Sequence, residues 1–412
     1  TVEGAVQAAQ EFNIATILVG NESVLAEELS SYDHSGLPIE IRHAPEIITM
    51  DESPLNLIRK KRNSSIRVAF DLVKSGEARA VVTAGNSGAA LTAALFVLDN
   101  IRGIDRPAIA TIMPTLTGSV IVIDAGANTI CKPFNLVQFA LMGSVYGQCL
   151  LGTKNPRVGV LSNGEEDSKG TKLTRESSAL LKDSALNYIG YVEGKEVFKG
   201  DVDVVVCDGF VGNVLLKVSE GIAETIIAAL KNEIQKSLSS QLGYILAKKS
   251  FDDFKKWFDY ANYGGSPLLG VNGGVIISHG RSNAKAIKNA IRVASELVEQ
   301  KVLERLADLV GADLDRLGDA ADEVPPLDLH LLLFLERERG PDPDLDLLRG
   351  LVADEEVVGA LHILDDGLVH LVPADPYRGV VHDAVQGHDR DLGGAAADVD
   401  DHVAAGLVHR QA

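Results

Sequence analysis

The chain has few cysteines, few aromatic residues and no long apolar run. Its 412 residues include three cysteines and one tryptophan, and aromatic residues make up 5% of the sequence. Three cysteines cannot form a disulfide framework, which indicates a reducing compartment. No apolar run reaches the roughly 18 residues that a membrane-spanning helix needs, and residues 1–20 lack a signal-peptide pattern. We therefore expect a soluble, cytoplasmic protein.

The last quarter of the chain lacks many common residue types. Residues 307–412 contain no Lys, Ser, Thr, Asn, Cys, Met or Trp, and they hold 24 acidic residues against seven arginines. The net charge of −19 therefore comes from this segment, and residues 1–306 are nearly neutral. We expect a folded domain at 1–306 and an acidic tail at 307–412 that is either disordered or translated outside its natural reading frame.

Metal ligands and nucleotide-binding signatures are also missing. Seven of the ten histidines lie in the tail, but they are scattered and do not have the spacing of metal ligands. No G-x-G-x-x-G motif opens a strand-to-helix turn, which argues against an NAD-linked dehydrogenase. A near-neutral domain without interleaved aromatic residues argues against nucleic acid as a partner. We expect no metal and no cofactor.

Five apolar runs end in loops rich in Gly, Asn, Asp and Ser. They are VVTAGNSGAA from Val81, IVIDAGAN from Ile121, VGVLSNGEEDSKG from Val158, VDVVVCDGFVGN from Val202 and GVIISHGRSN from Gly274. Continuous Val/Ile runs are typical of strands buried on both faces of a parallel sheet. Ligands bind outside the carboxyl ends of such strands, and glycine-rich turns before helices bind anions. The pattern predicts an α/β/α sandwich of Rossmann-like type, with all five loops at one phosphate-binding crevice.

The first 83 residues alternate between strand and helix patterns. They predict strands at 15–19, 39–44 and 80–83, and helices at 23–30 and 55–75. The second of these helices carries four consecutive basic residues at 59–62. This alternation favours a single large α/β domain.

The loop strings, together with YGGSPLLGVNGGVIISHGRSNAKAIKNAI, resemble in order and spacing the bacterial phosphate acyltransferases of phospholipid synthesis over about residues 1–306. The resemblance implies a fold like those of isocitrate dehydrogenase and phosphotransacetylase. It implies transfer of a long-chain acyl group from acyl carrier protein to inorganic phosphate. Two departures from the family pattern are expected to matter. The family normally begins with a first strand and a DAMGGD-type loop, and this sequence starts at Thr1, just beyond that loop. The family pattern also has no counterpart of the acidic tail.

Acyl transfer to phosphate needs positioned reactants and donors for a developing oxyanion. Lys169 is the candidate cation, because it places an ammonium in one of the five loops. Asn213 is a candidate neutral donor, although a helix cap would have the same pattern. Asp208 and Glu166 are expected to hold Lys169 or to accept a proton, and either could instead cap a turn.

Other polar side chains and glycines of the loops are expected to bind phosphate or the acyl group. These are Gly85, Asn86, Ser87, Gly88, Asp124, Gly126, Asn128, Asn163, Gly209, Gly212, Asn272, His279 and Ser282. His279 could act as a base or only hydrogen-bond within its loop. Cys207 ends an apolar strand, so we expect a buried thiol and not an acyl-enzyme nucleophile.

Two surfaces are candidates for partners. Lys285, Lys288 and Arg292 share one helix face, which would suit acidic carrier protein, although a solvated face has the same pattern. The segment 237–261 has apolar residues at helical spacing with lysines between them, which indicates a helix pair resting on anionic lipid or a dimer contact. Its membrane residues would be Leu242, Leu246, Phe254, Trp257 and Phe258.

These patterns, with the resemblance, favour a homodimeric enzyme at the inner face of the cell membrane, which hands acyl phosphate to a membrane-bound glycerol-phosphate acyltransferase. Two alternatives remain open. One is phosphotransacetylase-like acyl transfer from coenzyme A. The other is an inactive membrane-associated scaffold.

Overall fold

The computed structural model describes residues 1–49, 51–258, 262, 264–317, 360–363 and 369–372. The chain divides into two compact units, Thr1–Arg337 and Glu338–Ala412. The first unit contains all of the loops that the sequence singles out. Its last helix runs from Val302 to Leu317, so the change in composition at residue 306 lies inside a helix whose Leu306 and Val310 are buried.

The helices are α1 (Val2–Phe12), α2 (Glu22–Ser30), α3 (Asn56–Arg59), α4 (Ser65–Lys74), α5 (Ser87–Ala93, continued by a π-helical turn at Ala94–Leu98), α6 (Pro133–Leu150), α7 (Lys172–Lys182), α8 (Gly209–Gln235), α9 (Leu238–Leu246), α10 (Lys248–Phe258), α11 (Ala284–Glu299) and α12 (Val302–Leu317). Six of them begin at a side chain that accepts a backbone N–H of the first turn, as helix-capping residues do. These caps are Asn21, Asn86, Thr171, Asp208, Ser237 and Asn283.

The strands are β1 (Thr16–Gly20), β2 (Ile39–His43), β3 (Ala80–Thr83), β4 (Ala108–Thr115), β5 (Gly118–Ile123), β6 (Val158–Ser162), β7 (Tyr188–Glu193), β8 (Val204–Val206), β9 (Ser266–Leu269), β10 (Gly274–Ile277), β11 (Ala360–Ile363) and β12 (Val369–Val372). In the first unit they form a two-stranded sheet, β1-β2, and an eight-stranded sheet in the order β3-β10-β9-β4-β5-β8-β6-β7. In the second unit β11 and β12 pair antiparallel. The prediction of an acidic tail concerns residues 307–412, and most of these lie outside the described residues.

The large sheet contains two parallel groups that run in opposite directions. β5, β8, β6 and β7 pair in parallel, and so do β10 and β3. Between the groups, β4 pairs antiparallel with β5 and with β9, and β9 pairs antiparallel with β10. Three antiparallel steps therefore reverse the strand direction between the two groups. The predicted α/β sandwich with a mostly parallel sheet is confirmed. The reversal means that the five polar loops do not all leave the sheet at the same edge, and a crevice shared by all five stays a prediction.

Both faces of the sheet are buried, as the continuous apolar runs predict. Ile121 and Ile123 of β5 pack with Phe139 of α6 in the largest core cluster. Val120 and Val122, which point to the other face, pack in a separate cluster. Alternate residues of one strand thus enter two cores, because successive side chains of a strand point to opposite faces.

The helix predicted at 55–75 is two helices, α3 and α4. Ser64 lies between the two helices and forms an isolated parallel bridge with Glu46, which precedes α3. The Ser64 backbone is extended, with φ −72° and ψ 149°. The Lys61 ammonium is also held by the Ile47 carbonyl and the Glu52 carboxylate, each at 2.7 Å. These contacts to residues 46–52 interrupt the helix, whereas the predicted strand at 80–83 has the predicted bounds.

The two sheets of the first unit pack against the same helices without pairing with each other. Among the described residues, β1 pairs with β2 alone and β3 with β10 alone. Leu18 of β1 and Val82 of β3 nevertheless pack in one cluster with Ile287 of α11, and α4 contacts both strands. One edge of β1 and one edge of β3 therefore remain without a strand partner.

Candidate functional site

Three of the five predicted loops start side by side at one edge of the sheet. Ile123 of β5 is in register with Val206 of β8, and Val206 is in register with Val160 of β6. Neighbouring strands lie about 4.8 Å apart, so the loops after these strands begin within about 10 Å of one another. The DAGAN loop, the DGFVGN helix start and the loop that carries Lys169 thus form the candidate site.

Asp124 organises the first of these loops from the inside. It is fully buried. One carboxylate oxygen accepts the backbone N–H groups of Ile109, Gly126 and Ala127 at 2.9–3.1 Å, and the other accepts the backbone and side-chain N–H groups of Asn128 at 2.6 and 2.9 Å. Burial raises the pKa of Asp124. All five partners are donors, however, so the ionised carboxylate is the form that this loop stabilises.

These bonds change the roles predicted for the DAGAN loop. The backbone N–H groups expected to bind phosphate donate to Asp124 instead. The Asn128 side chain is buried and donates to the Pro107 carbonyl at 2.7 Å as well as to Asp124. Asp124 and Asn128 therefore build the loop, and their predicted contact with substrate remains untested.

The first turn of α8 packs directly against this loop. The Gly209 N–H donates to the Asn128 carbonyl at 2.7 Å. A Cβ atom on Gly212 would lie 1.9 Å from the Asp124 carbonyl oxygen and 3.0 Å from the Cys207 sulfur. No side chain fits there, so glycine at 212 allows the helix start to reach the loop. Asp208 caps the helix by accepting the Val211 N–H at 2.9 Å.

Asn213 lies over the outer surface of the same loop. Its side-chain atoms lie 3.7–3.9 Å from the position that a Cβ on Gly126 would occupy, and both residues are exposed. The amide is therefore in the helix and open to solvent, not used as a cap. It is available to a ligand bound between the loop and α8.

Lys169 projects from the loop that follows β6. The Lys169 N–H donates to the Glu166 carbonyl at 2.8 Å, and its side chain folds over Gly164 beside the Glu166 carboxylate. Lys169 is exposed, and among the described residues no carboxylate lies within ion-pair distance of its ammonium. The neighbouring Asp167 pairs with Lys182 at 2.7 Å instead.

The loops after β3 and β10 point to the other end of the strands. Asn86 caps α5 by accepting the Ala89 N–H at 3.0 Å, and its amide donates to the carbonyls of Thr49 and Glu52. The adjacent Gly85, Ser87 and Gly88 follow the same strand end. A link to the candidate site is Ala127, which packs against the cluster that contains Ala89 and Ala90 of α5. Binding of phosphate by residues 85–88 stays a prediction.

The two ends of β10 separate other predicted residues. Asn272 precedes the strand and donates to the Asn100 carbonyl at 2.8 Å. His279 follows the strand, where its ring nitrogen accepts the Arg281 N–H at 3.1 Å, and the Ser282 N–H donates to its carbonyl. Asn272 and His279 therefore lie at opposite ends of one strand and are not brought together.

The cysteines near the site are poor nucleophiles. Cys207 is buried, and burial together with Asp124 and Asp208 raises the pKa of its thiol well above the usual value. The same causes raise the pKa of Cys131 to about 12. Thiolate is the reactive form of cysteine, so neither side chain is activated. Among the described residues, no cluster of His, Cys, Asp and Glu could hold a metal ion.

The proposed docking face on α11 is partly occupied by contacts within the protein. The Lys288 ammonium pairs with Glu11 at 2.7 Å and lies 5.9 Å from the Phe12 ring centroid. Arg292 pairs with Glu296 on its own helix. Lys285 is exposed near the start of the helix. The three basic residues are thus on one helix, and both Lys288 and Arg292 form ion pairs within the protein.

Helices α8, α9 and α10 expose much apolar surface. Leu242 is 59% exposed, Leu246 is 81% exposed and Phe254 is 37% exposed. Tyr244 of α9 and Phe251 of α10 hold the two helices together, with ring centroids 5.1 Å apart. Trp257 and Phe258 belong to α10, but their side chains lie outside the described residues. Across the part of the chain that the structure describes, we find no helix with the length and apolar character to cross a membrane.

Comparison with known proteins agrees with the sequence motifs. Residues 1–305 match the model of a family described as fatty acid synthesis protein. The chain is 58% identical over 307 residues to a phosphate acyltransferase of Geotalea uraniireducens, covering 74% of this chain and 89% of that protein. It is also 58% identical over 323 residues to a phosphate acyltransferase of Geobacter sulfurreducens, covering 78% and 93%. A phosphotransacetylase from Streptococcus pyogenes superposes with a TM-score of 0.47 at 18% identity, covering 72% and 91%.

Proposed function

The chain belongs to the phosphate acyltransferase family, and from this membership we propose that it transfers a long-chain fatty acyl group from the thioester of acyl carrier protein to inorganic phosphate. The product is an acyl phosphate for phospholipid synthesis. The observation that supports this site is the register of Ile123, Val206 and Val160, which starts three loops side by side. Those loops carry the amide and ammonium donors that the proposed mechanism uses.

In the proposed mechanism a phosphate oxygen attacks the carbonyl carbon of the thioester. A tetrahedral oxyanion forms, the carbon–sulfur bond breaks, and the carrier-protein thiolate leaves and takes a proton from solvent. Lys169 neutralises phosphate and the oxyanion, and Asn213 donates a hydrogen bond at the start of α8. Glu166 positions the Lys169 backbone, because the Glu166 carbonyl accepts the Lys169 N–H. Asp208 and Asp124 hold the start of α8 and the DAGAN loop in place.

The function is tested by thiol release from palmitoyl carrier protein. We expect release of the carrier-protein thiol only when phosphate is present, together with formation of palmitoyl phosphate. Acetyl-coenzyme A and palmitoyl-coenzyme A serve as comparison donors. Phosphate-independent release, or a preference for a coenzyme A donor, would contradict the proposal.

Direct attack by phosphate predicts little role for Cys207. Replacing Cys207 by alanine should leave turnover within about threefold of the natural enzyme, because a buried thiol with a raised pKa is not a nucleophile. Steady-state rates with palmitoyl carrier protein measure this, and Cys131→Ala is the matched control. Isolation of a labelled acyl group on Cys207 would rule out direct attack.

We also propose that α9 and α10 rest on anionic lipid in a homodimeric enzyme at the inner face of the cell membrane, close to the glycerol-phosphate acyltransferase that consumes the product. Exposed Leu242 and Leu246 of α9, with Lys248 and Lys249 at the start of α10, provide the apolar and basic parts of such a surface. The acidic carrier protein would dock at Lys285, Lys288 and Arg292. The same apolar helices could instead contact the second subunit.

A paired substitution tests the lipid contact. Leu242→Asp with Leu246→Asp should weaken binding to phosphatidylglycerol vesicles by about 10-fold or more, since each buried leucine contributes about 1.5–3 kcal/mol. Thiol release in solution should persist. Leu116→Asp, at a residue 75% exposed in the β4–β5 turn, is the control. Unchanged vesicle binding together with loss of the dimer in sedimentation would assign this face to the second subunit.

A further inference from the structure

The loop that carries Lys169 is held next to this residue by the backbone of Gly170. The Gly170 N–H donates to the Asn163 side-chain oxygen at 2.9 Å, which joins the two ends of the loop. The Gly170 carbonyl accepts a hydrogen bond from the guanidinium of Arg175, on α7, at 2.7 Å. Both polar groups of this peptide backbone are therefore fixed by side chains from outside residues 164–169.

Gly170 has little freedom to move between these two side chains. Its φ is +82°, and a Cβ at this position would lie 2.2 Å from the Thr174 hydroxyl oxygen. Thr171, the next residue, caps α7 by accepting the Thr174 N–H at 3.2 Å. On the other side, the Lys169 N–H is held by the Glu166 carbonyl. The backbone of Lys169 is thus fixed immediately before and after its own Cα.

We infer that Asn163 and Arg175 are positioning residues, which set where the Lys169 ammonium stands by clamping Gly170 from two sides. The inference rests on the proposed role of Lys169 in acyl transfer. It reassigns Asn163, which the sequence suggested as a substrate ligand, and it adds Arg175, which no loop motif contains.

A catalytic group must be held close to its productive position, and a displacement of about 1 Å can cost as much as 100-fold in rate. Loss of either clamp frees one of the two polar groups of the Gly170 backbone next to Lys169, although the ion pair between Asp167 and Lys182 still joins the loop to α7. The ammonium then samples more positions, so kcat should fall more than KM rises. The hydrophobic core is not involved, because Arg175 and Asn163 are both exposed.

A double-mutant cycle tests the inference. We expect Arg175→Ala to lower kcat by about 10-fold or more, and Asn163→Ala to have a similar effect from the opposite side of Gly170. In a Lys169→Ala background, measured with more enzyme, neither change should lower the residual rate by more than about twofold, since residues that act through one group are not additive. Arg175→Lys should restore part of the rate.

Lys172→Ala is the matched control, because it removes a positive charge from the same helix without touching Gly170; Lys172 pairs with Glu176 instead. Equal losses in the natural and Lys169→Ala backgrounds would show that Arg175 acts on substrate or on the fold, and would overturn the inference. No loss in the natural background would also overturn it. Failure of the proposed function itself is seen separately, as absence of phosphate-dependent thiol release in the unsubstituted enzyme.

Discussion

Replacing Lys169 by alanine is expected to lower turnover by about 100-fold or more, as loss of one oxyanion donor does in other acyl-transfer enzymes. The ammonium is exposed and makes no ion pair among the described residues, so its removal should leave the fold intact. The measurement is kcat for phosphate-dependent thiol release, with thermal unfolding of the same samples. The unfolding midpoint should change by no more than about 1 °C.

Two comparisons sharpen this result. Lys169→Arg keeps the positive charge but changes its geometry, and should recover part of the rate. Lys172→Ala removes an exposed ammonium three residues further on and should keep full activity. A Lys169→Ala enzyme that turns over normally at saturating phosphate would remove this residue from the mechanism.

The second large effect is expected at Gly212. Alanine there would place a methyl group 1.9 Å from the Asp124 carbonyl oxygen, which belongs to the backbone and cannot rotate away. The start of α8 must then separate from the DAGAN loop. We expect a loss of about 2–4 kcal/mol in the free energy of unfolding and loss of nearly all activity, because Asn213 and the loop move apart.

The same helix offers a control for this substitution. Gly221 lies about two and a half turns further along α8, and a Cβ there would meet no atom within 4 Å. Gly221→Ala should therefore stabilise the protein by up to about 1 kcal/mol, since alanine favours a helix interior over glycine. Denaturant unfolding of both variants gives the comparison. A Gly212→Ala protein as stable as the natural one would contradict the tight contact.

Local patterns in the sequence predicted much of the fold. The strand at 80–83 has its predicted bounds, and each polar glycine-rich string follows a strand. The break between α3 and α4 could not be predicted, because it depends on Glu46 pairing with Ser64 across the intervening chain. The reversal between the two parallel groups could not be predicted either. It arises from β4 and β9, and residue type carries little information on strand direction.

In the candidate site, too, local patterns could be predicted from the sequence, whereas contacts between distant residues could not. Asp208, Asn213 and Lys169 could be proposed because they lie in the segments that follow apolar strands, and register places those strand ends at one edge. The part that Asp124 plays in building the DAGAN loop could not be predicted, because one of its five donors comes from Ile109, on a neighbouring strand. Arg175 was missed because its contact with Gly170 exists only once the loop has folded back on α7. The signal that the sequence offered for this contact was a basic residue in the first turn of α7.

Helix α8 is anchored at its N-terminal end, so a change in its angle produces a larger displacement at its C-terminal end. Its 27 residues span about 40 Å, yet the two residues buried within it are Gly209 and Gly212, both in the first turn. The anchored end of α8 therefore lies against the DAGAN loop, and the opposite end leads into α9 and α10. A tilt of about 5° at the anchored end displaces Gln235 by about 3 Å, over the helix length given by 1.5 Å per residue. Any change in the angle of α8 at the DAGAN loop would therefore produce a larger displacement at α9 and α10 than at the candidate site.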